Sequence, residues 1–296
     1  MEFKVFIQCN RFQTVAAEIS RHTFITKAGI DPQNIVIMNS DEIPALTKHE
    51  GDYYLRNGRL TQYSKEDCQS FTLSRFYVPT LMGFKGHAIV VDPDVFFLAG
   101  KEDLEAFDFK DKAVYAREKV DPTGAISHGS SVMFLDCSKL RHWDFDKLMD
   151  RLFSQKLDYY DLMWLRFEDK SLRGEISPSW NDIDHLDSNT RMIHYSERIT
   201  QPWMKGVRFD RYLPKYSDAN LRKKLLFDLK RSYHLAKKFL KPVLYVQNPF
   251  EDQEKLFFQM ANAAIKDNPK IQDDINQKLS QGLIRSDIFE CLARAN

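Results

Sequence analysis

His87-Ala88-Ile89-Val90-Val91-Asp92-Pro93-Asp94-Val95-Phe96-Phe97 takes a short apolar run into two acids one residue apart. The run has the length and β-branched content of a strand. In an open α/β sheet, ligands sit outside the carboxyl ends of strands, which is where these acids fall. Alternate residues of an extended chain face the same way, so Asp92 and Asp94 can aim at one point. Pro93 has no ladder donor, which suits the place where sheet pairing stops. Two carboxylates on one side of a hard cation leave positions for diphosphate oxygens and water. A cation held there neutralises charge developing on a nucleoside-diphosphate leaving group.

Upstream of that strand the chain alternates. Residues 3–9 are a β-rich run, and Gln13 to Ala28 has helical content with Val15, Ala16 and Ile19 on one face. Gly29 and Asp31-Pro32 end that helix, and Asn34 to Met38 makes a second strand. Strand–helix–strand order predicts an α/β sheet with parallel pairing. It is not a dinucleotide fingerprint, because no glycine precedes Gly29 and GxGxxG is absent. Tyr53 to Leu60 carries an Asn57-Gly58 hairpin signal. Residues 66–82, which include Arg75, read as helix, and further strands are expected at 113–116, 131–136 and 192–195.

The 296 residues are enough for one large domain, or for a main domain with an appendage. Charges nearly cancel, 43 Lys plus Arg against 42 Asp plus Glu, which argues against a nucleic-acid binder and for small-molecule or glycan partners. Four cysteines at long, irregular spacings suggest neither a zinc knuckle nor a disulfide framework, and favour reduced thiols in the cytoplasm. The start has no long apolar signal region, and no stretch is long and apolar enough to span a bilayer, so a soluble or at most peripheral protein is expected. From Asp218 to Tyr245 a two-faced helical run sets Leu221, Leu225, Leu229, Ala236 and Leu240 against Arg222, Lys223, Lys230, Arg231, Lys237 and Lys238. That stretch either packs its leucines on the main domain or lies on the anionic inner face of a membrane.

A second chemical signal lies about 100 residues beyond the acids. Arg191-Met192-Ile193-His194-Tyr195 is a strand ending near a histidine, preceded by Trp180-Asn181-Asp182 and followed by Gln201-Pro202-Trp203. A neutral imidazole there could supply a third metal ligand or be a structural histidine. Trp203 could wall a sugar pocket or sit in the core. His128-Gly129-Ser130-Ser131 lacks the G-x-S-x-G elbow of a nucleophilic serine and reads as a flexible entry to a strand.

Taken in order over residues 3 to 205, these segments resemble the glycosyltransferase family 8 type of retaining enzymes. Phe71 to Pro79 looks like the family's arginine-bearing helix, and Asp92-Pro93-Asp94 looks like its D-x-D metal motif. Ser130 to Asp136 is similar to its small-residue strand beside the donor sugar, and Asp158 to Asp161 to an acidic acceptor-side segment. His194 through Trp203 resembles its closing motif. The resemblance implies a GT-A-like fold, a Rossmann-like mixed sheet flanked by helices. It implies that Asp92, Asp94 and His194 hold Mn2+, or Mg2+ in its place. It places Gln8 and Asn10 near the nucleotide, and Arg75, Ser130 and Ser131 on the donor. Asp161 would be the catalytic residue that orients or stabilises the sugar, or a helix-surface acid. The chain departs from the pattern at Gly129 and Ser131, where Asn and Gly are usual. Gln201 stands where a lysine contacts the diphosphate, and Lys205 is a nearby substitute.

The expectation is thus a transferase domain over 1–215 with a helical C-terminal extension over 216–296. It would move a hexose from a nucleotide-sugar donor, a UDP-sugar, to a glycan, lipid-linked or protein acceptor. The alternative is a catalytically degenerate nucleotide-sugar-binding protein. A phosphatase on the same D-x-D would need further strand-end motifs that the sequence does not contain.

Overall fold

The computed structural model describes residues 3–120, 124–208, 215–217 and 242–295. Its centre is a mixed six-stranded sheet. In chain order the elements begin with β1 (Phe3–Cys9) and β2 (Ile35–Asn39), which flank α1 (Thr14–Thr26). Next come the short helix α2 (Pro44–Thr47), a hairpin of β3 (Tyr53–Arg56) and β4 (Arg59–Gln62), and the short helix α3 (Val78–Leu81). They are followed by β5 (His87–Val91), β6 (Val95–Phe97), α4 (Lys101–Glu105), β7 (Val114–Val120) and β8 (Ile126–Asp136). The sheet order is β2-β1-β5-β8-β7, closed at the far edge by β9 (Arg173–Glu175). β1 pairs in parallel with both β2 and β5, as the opening alternation predicted, while β8 runs antiparallel to β5 and β7.

Strand periodicity explains why both faces are covered. Along β1, β5 and β8, Phe6, Val90 and Met133 face one apolar cluster, whereas Val5, Ile89 and Phe134 face the other. The first cluster is capped by α5 (Phe145–Phe153), by Trp143 and by Tyr54 of the hairpin; the second takes Ala17 and Phe24 of α1. The hairpin turn follows from Asn57-Gly58, both with positive φ (55° and 69°), as a two-residue primed turn requires. The Asp158 carboxylate accepts from both of their amides, at 3.1 and 2.8 Å. Asp158 also caps α6 (Tyr159–Met163).

Residues 66–82 differ from the expected helix. Ser70–Tyr77 is 3-10 helix, and only Val78–Leu81 is α. Thr72 and Ser74 turn their hydroxyls back on the carbonyls of Gln69 and Phe71, at 2.8 and 2.6 Å. Side-chain bonds of that kind compete with the α ladder and tighten the turn. The strand expected at 131–136 is longer, because β8 begins at Ile126.

A second, three-stranded sheet joins β10 (Asp182–Ile183), β11 (Met192–His194) and β6, with His194 opposite Val95. Against it pack α7 (Glu251–Asp267), α8 (Lys270–Ser280) and α9 (Ile288–Arg294). Phe257 of α7 meets Phe96, Tyr195 and Trp203, and Tyr195 donates its hydroxyl to Gln253 O at 2.7 Å. Trp203 is therefore a core residue, not a pocket wall. A third small sheet joins β3 and β4 to β12 (Lys215–Ser217). The basic amphipathic stretch at 221–241 lies outside the described residues, and the expected boundary at 215/216 borders others that do. Among the described residues no helix is long and apolar enough to cross a membrane.

If α7 to α9 brace the His194–Trp203 segment, Phe257→Ala should cost about 3–5 kcal/mol in a single cooperative urea transition. A loss under about 1 kcal/mol would show that the docking does not hold that segment.

Candidate active site

Asp92 directly follows β5, and its amide donates to Ser131 O at 3.0 Å, so the first acid is pinned at the carboxyl end of the sheet. Two residues on, the short turn into β6 lets Tyr195 N bond Asp94 O at 3.0 Å. That contact brings the end of β11, and with it His194, to the acids. Asp92, Asp94 and His194 are 6, 7 and 4% exposed, and each offers a ligand atom within 4.8 Å of the others.

Three charged or polar neighbours set the state of this group. Arg75, delivered by the 3-10 segment, grips Asp92 with both arms of its fork, Nε to Oδ1 at 2.9 Å and Nη2 to Oδ2 at 2.6 Å. Burial pushes the Asp92 carboxyl up, the guanidinium opposes that, and Asp94 pushes it up again. Gln201 Nε2 donates to Asp94 Oδ2 at 2.8 Å. His194 Nδ1 donates to Asn181 Oδ1 at 2.8 Å, and Asn181 Nδ2 donates to Ser131 Oγ at 3.1 Å. The histidine tautomer is thereby fixed with Nε2 free, the orientation usual for metal-binding imidazoles.

That arrangement is a test of metal fit. Asp94 Oδ1 is buried without a hydrogen-bond partner, and His194 Nε2 lies 3.4 Å from it. Two lone-pair atoms that close repel each other in a dry site unless a cation or a proton lies between them. Oxygen and imidazole donors of this kind suit Mn2+ or Mg2+. The residues present therefore fit a divalent cation held by Asp92, Asp94 and His194.

The group opens on a cleft of about 220 Å³. Ser130 and Ser131 reach it because the β7–β8 ladder slips between Ala116/Met133 and Arg117/Gly129, and the skipped residues of β8 bulge at the rim. Arg75 Nη1 donates to Ser130 Oγ at 2.7 Å, so the arginine ties bulge to metal strand. Phe71, Tyr160, Met163 and Trp164 give the lining its apolar residues, and Lys119 and Gly129 line it as well. Burial lowers the pKa of Lys119, with Arg117 adding to that and Asp92 opposing it.

Arg75, Ser130, Ser131, Asp92, Asp94 and His194 thus line one cleft. Gln201 is also close, but as the partner of Asp94. Other expected residues do not line the cleft. Gln8 is fully buried and takes the Ser74 hydroxyl, steadying the arginine segment from behind. Asn10 is fully buried and donates to the carbonyls of Asp67 and Cys68. Asp161 accepts from Asp158 N at 2.9 Å and closes the first turn of α6. Lys205 lines a separate hollow beside Arg285 and Asp287. Asn181 and Lys119 carry no role in the sequence reading. The first stood in a segment already singled out, and the second depends on the slipped register.

No known protein family matches the chain, and no curated protein matches it. Solved structures similar to it include the galactosyltransferase LgtC in complex with donor and acceptor sugar analogues, at 15% identity and a TM-score of 0.45, over 69% of this chain and 89% of that one. The apo form of the glycosyltransferase GlyE from Streptococcus pneumoniae TIGR4 is 15% identical with a TM-score of 0.49, over 84% of this chain and 65% of that one. Mouse xyloside xylosyltransferase 1 is 11% identical with a TM-score of 0.40, over 66% and 97%.

Truncating Arg75 would leave a buried carboxylate without its counterion. Arg75→Ala should lower stability by about 3–5 kcal/mol in chemical denaturation. Asp92→Asn in the same background should recover part of that loss; if it recovers nothing, the pair does not carry the strain assigned to it.

Proposed function

We propose that this chain is a metal-dependent glycosyltransferase with a GT-A-like fold, transferring a hexose from a UDP-sugar to a hydroxyl of a glycan, lipid-linked or protein acceptor. The observation that carries the proposal is the orphaned Asp94 Oδ1 facing the free Nε2 of His194 at the mouth of a strand-end cleft. Mn2+ or Mg2+ would be held by Asp92, Asp94 and His194, and would supply positive charge against the diphosphate as the glycosidic bond breaks. Arg75 opposes the upward push that burial gives the Asp92 carboxyl and aims it, and Asn181 keeps His194 in its ligating tautomer. Ser130 and Ser131 offer hydroxyls to the donor sugar at the bulge. Phe71, Tyr160 and Trp164 give the acceptor an apolar wall on which a sugar ring can stack.

Both acids of the cleft lining belong to the cation set. A front-face transfer, in which the leaving diphosphate takes the acceptor proton, fits that lining and would retain anomeric configuration. The proposal places the protein in the cytoplasm.

Calorimetric titration with UDP, UDP-glucose, UDP-galactose and GDP-mannose, in Mn2+ and in chelator, tests the reading. One uridine donor should bind only with metal, and Asp92→Ala/Asp94→Ala should abolish the binding. Asn181→Leu should weaken metal affinity about 10- to 100-fold while the protein stays folded. Failure of every nucleotide to bind folded wild type would sink the transferase reading. Binding with no transfer across a broad acceptor panel would instead identify a degenerate sugar-nucleotide binder.

A further inference from the structure

The cleft as described lacks one thing a diphosphate needs. Among the described lining residues the cations are Arg75 and Lys119. Arg75 spends its fork on Asp92. The closing segment presents Gln201, a neutral residue already bonded to Asp94. Lys205, further along, lines the hollow beside Arg285. Lys119 is different: it is half-buried, and no carboxylate pairs with it among the described residues.

Its path into the cleft has a specific cause. After the ladder slip, Arg117 pairs with Gly129 and Lys119 with Ser127, so Lys119 and Gly129 lie diagonally on one face of the sheet. Gly129 has no side chain, and the lysine runs across the gap. A Cβ built on Gly129 would stand 3.3 Å from Lys119 Cε, 3.4 Å from Cδ and 3.6 Å from Nζ. Arg117, on the same face, is turned away to Asn181 O at 2.6 Å. The bare glycine is thus the floor of a lane along which the lysine side chain reaches the cleft.

We propose that Lys119 is the diphosphate-binding cation of this protein, reaching the donor over Gly129 from β7 in place of a lysine in the closing segment. This rests on the nucleotide-sugar reading above. Charge counting supports it. A divalent cation, Asp92, Asp94, Arg75 and Lys119 together leave a positive surplus that balances the two negative charges of a sugar-nucleotide diphosphate, and with Arg75 held on Asp92 it is the Lys119 ammonium that can contact the phosphates. A compact ammonium on a flexible stem suits phosphate oxygens as a point charge. The same charge would stabilise the additional negative charge that UDP acquires on leaving.

Titration of UDP and of uridine into wild type, Lys119→Met and Lys119→Arg, all with MnCl2, separates the outcomes. Lys119→Met should bind UDP about 10- to 100-fold more weakly, the range of one charge-assisted hydrogen bond. Its affinity for uridine and its thermal unfolding should match wild type, and Lys119→Arg should recover most of the UDP affinity. The dependence of UDP affinity on salt should also be shallower in Lys119→Met. UDP binding by Lys119→Met equal to wild type overturns the Lys119 assignment and leaves the transferase reading standing. Equal loss of UDP and uridine shows a structural role and overturns it too. No UDP binding by wild type removes the transferase reading and this inference with it.

Discussion

A carboxylate at the end of a buried strand is costly to keep ionised, and Asp92 sits at the end of β5 with almost no access to water. What makes that position tenable is the two-armed grip of Arg75. Much of the local architecture follows from it. The 3-10 segment must pass close behind the strand end, and Gln8 and Asn10 on and after β1 hold that segment and its approach. The β8 bulge is tied in through Ser130. Removing one partner would leave an uncompensated buried charge, so the pair acts as the keystone of the cleft even though its net stabilisation is small.

A second layer of support comes from the far end of the chain. The segment from His194 to Trp203 lies between β6 and the C-terminal helices, with Phe96, Tyr195, Trp203 and Phe257 in mutual ring contact. Arg285 donates to Pro202 O at 2.8 Å and pairs with Glu254, fastening the same loop from outside. The helical extension is therefore part of what positions His194 and Gln201. The candidate cation site of Asp92, Asp94 and His194 is held by residues 75, 181 and 201, and by supports as distant as 285.

How much of this was legible in the sequence depended on the range of the interaction. The strand before Asp92, the D-x-D geometry, the α/β alternation and the Asn57-Gly58 turn are local patterns, and the structure reproduces them. His194 was readable as a strand-end imidazole, and its approach to Asp94 followed once the two strands paired. Asn181, Gln201 and Lys119 were not readable in their observed positions. Each owes its place to a long-range pairing, and Lys119 to a register slip that composition does not announce. Asp161 and Asn10 bond backbone groups for a related reason: short polar side chains beside turns often take local amides as partners.

Anomalous difference density from Mn2+-soaked crystals bears most directly on the central claim, that Asp92, Asp94 and His194 form one cation site. A single strong peak should appear between Asp94 Oδ1 and His194 Nε2, within reach of Asp92, and should vanish in Asp94→Ala. Absence of a peak there in wild type, with manganese bound elsewhere or nowhere, would contradict the account.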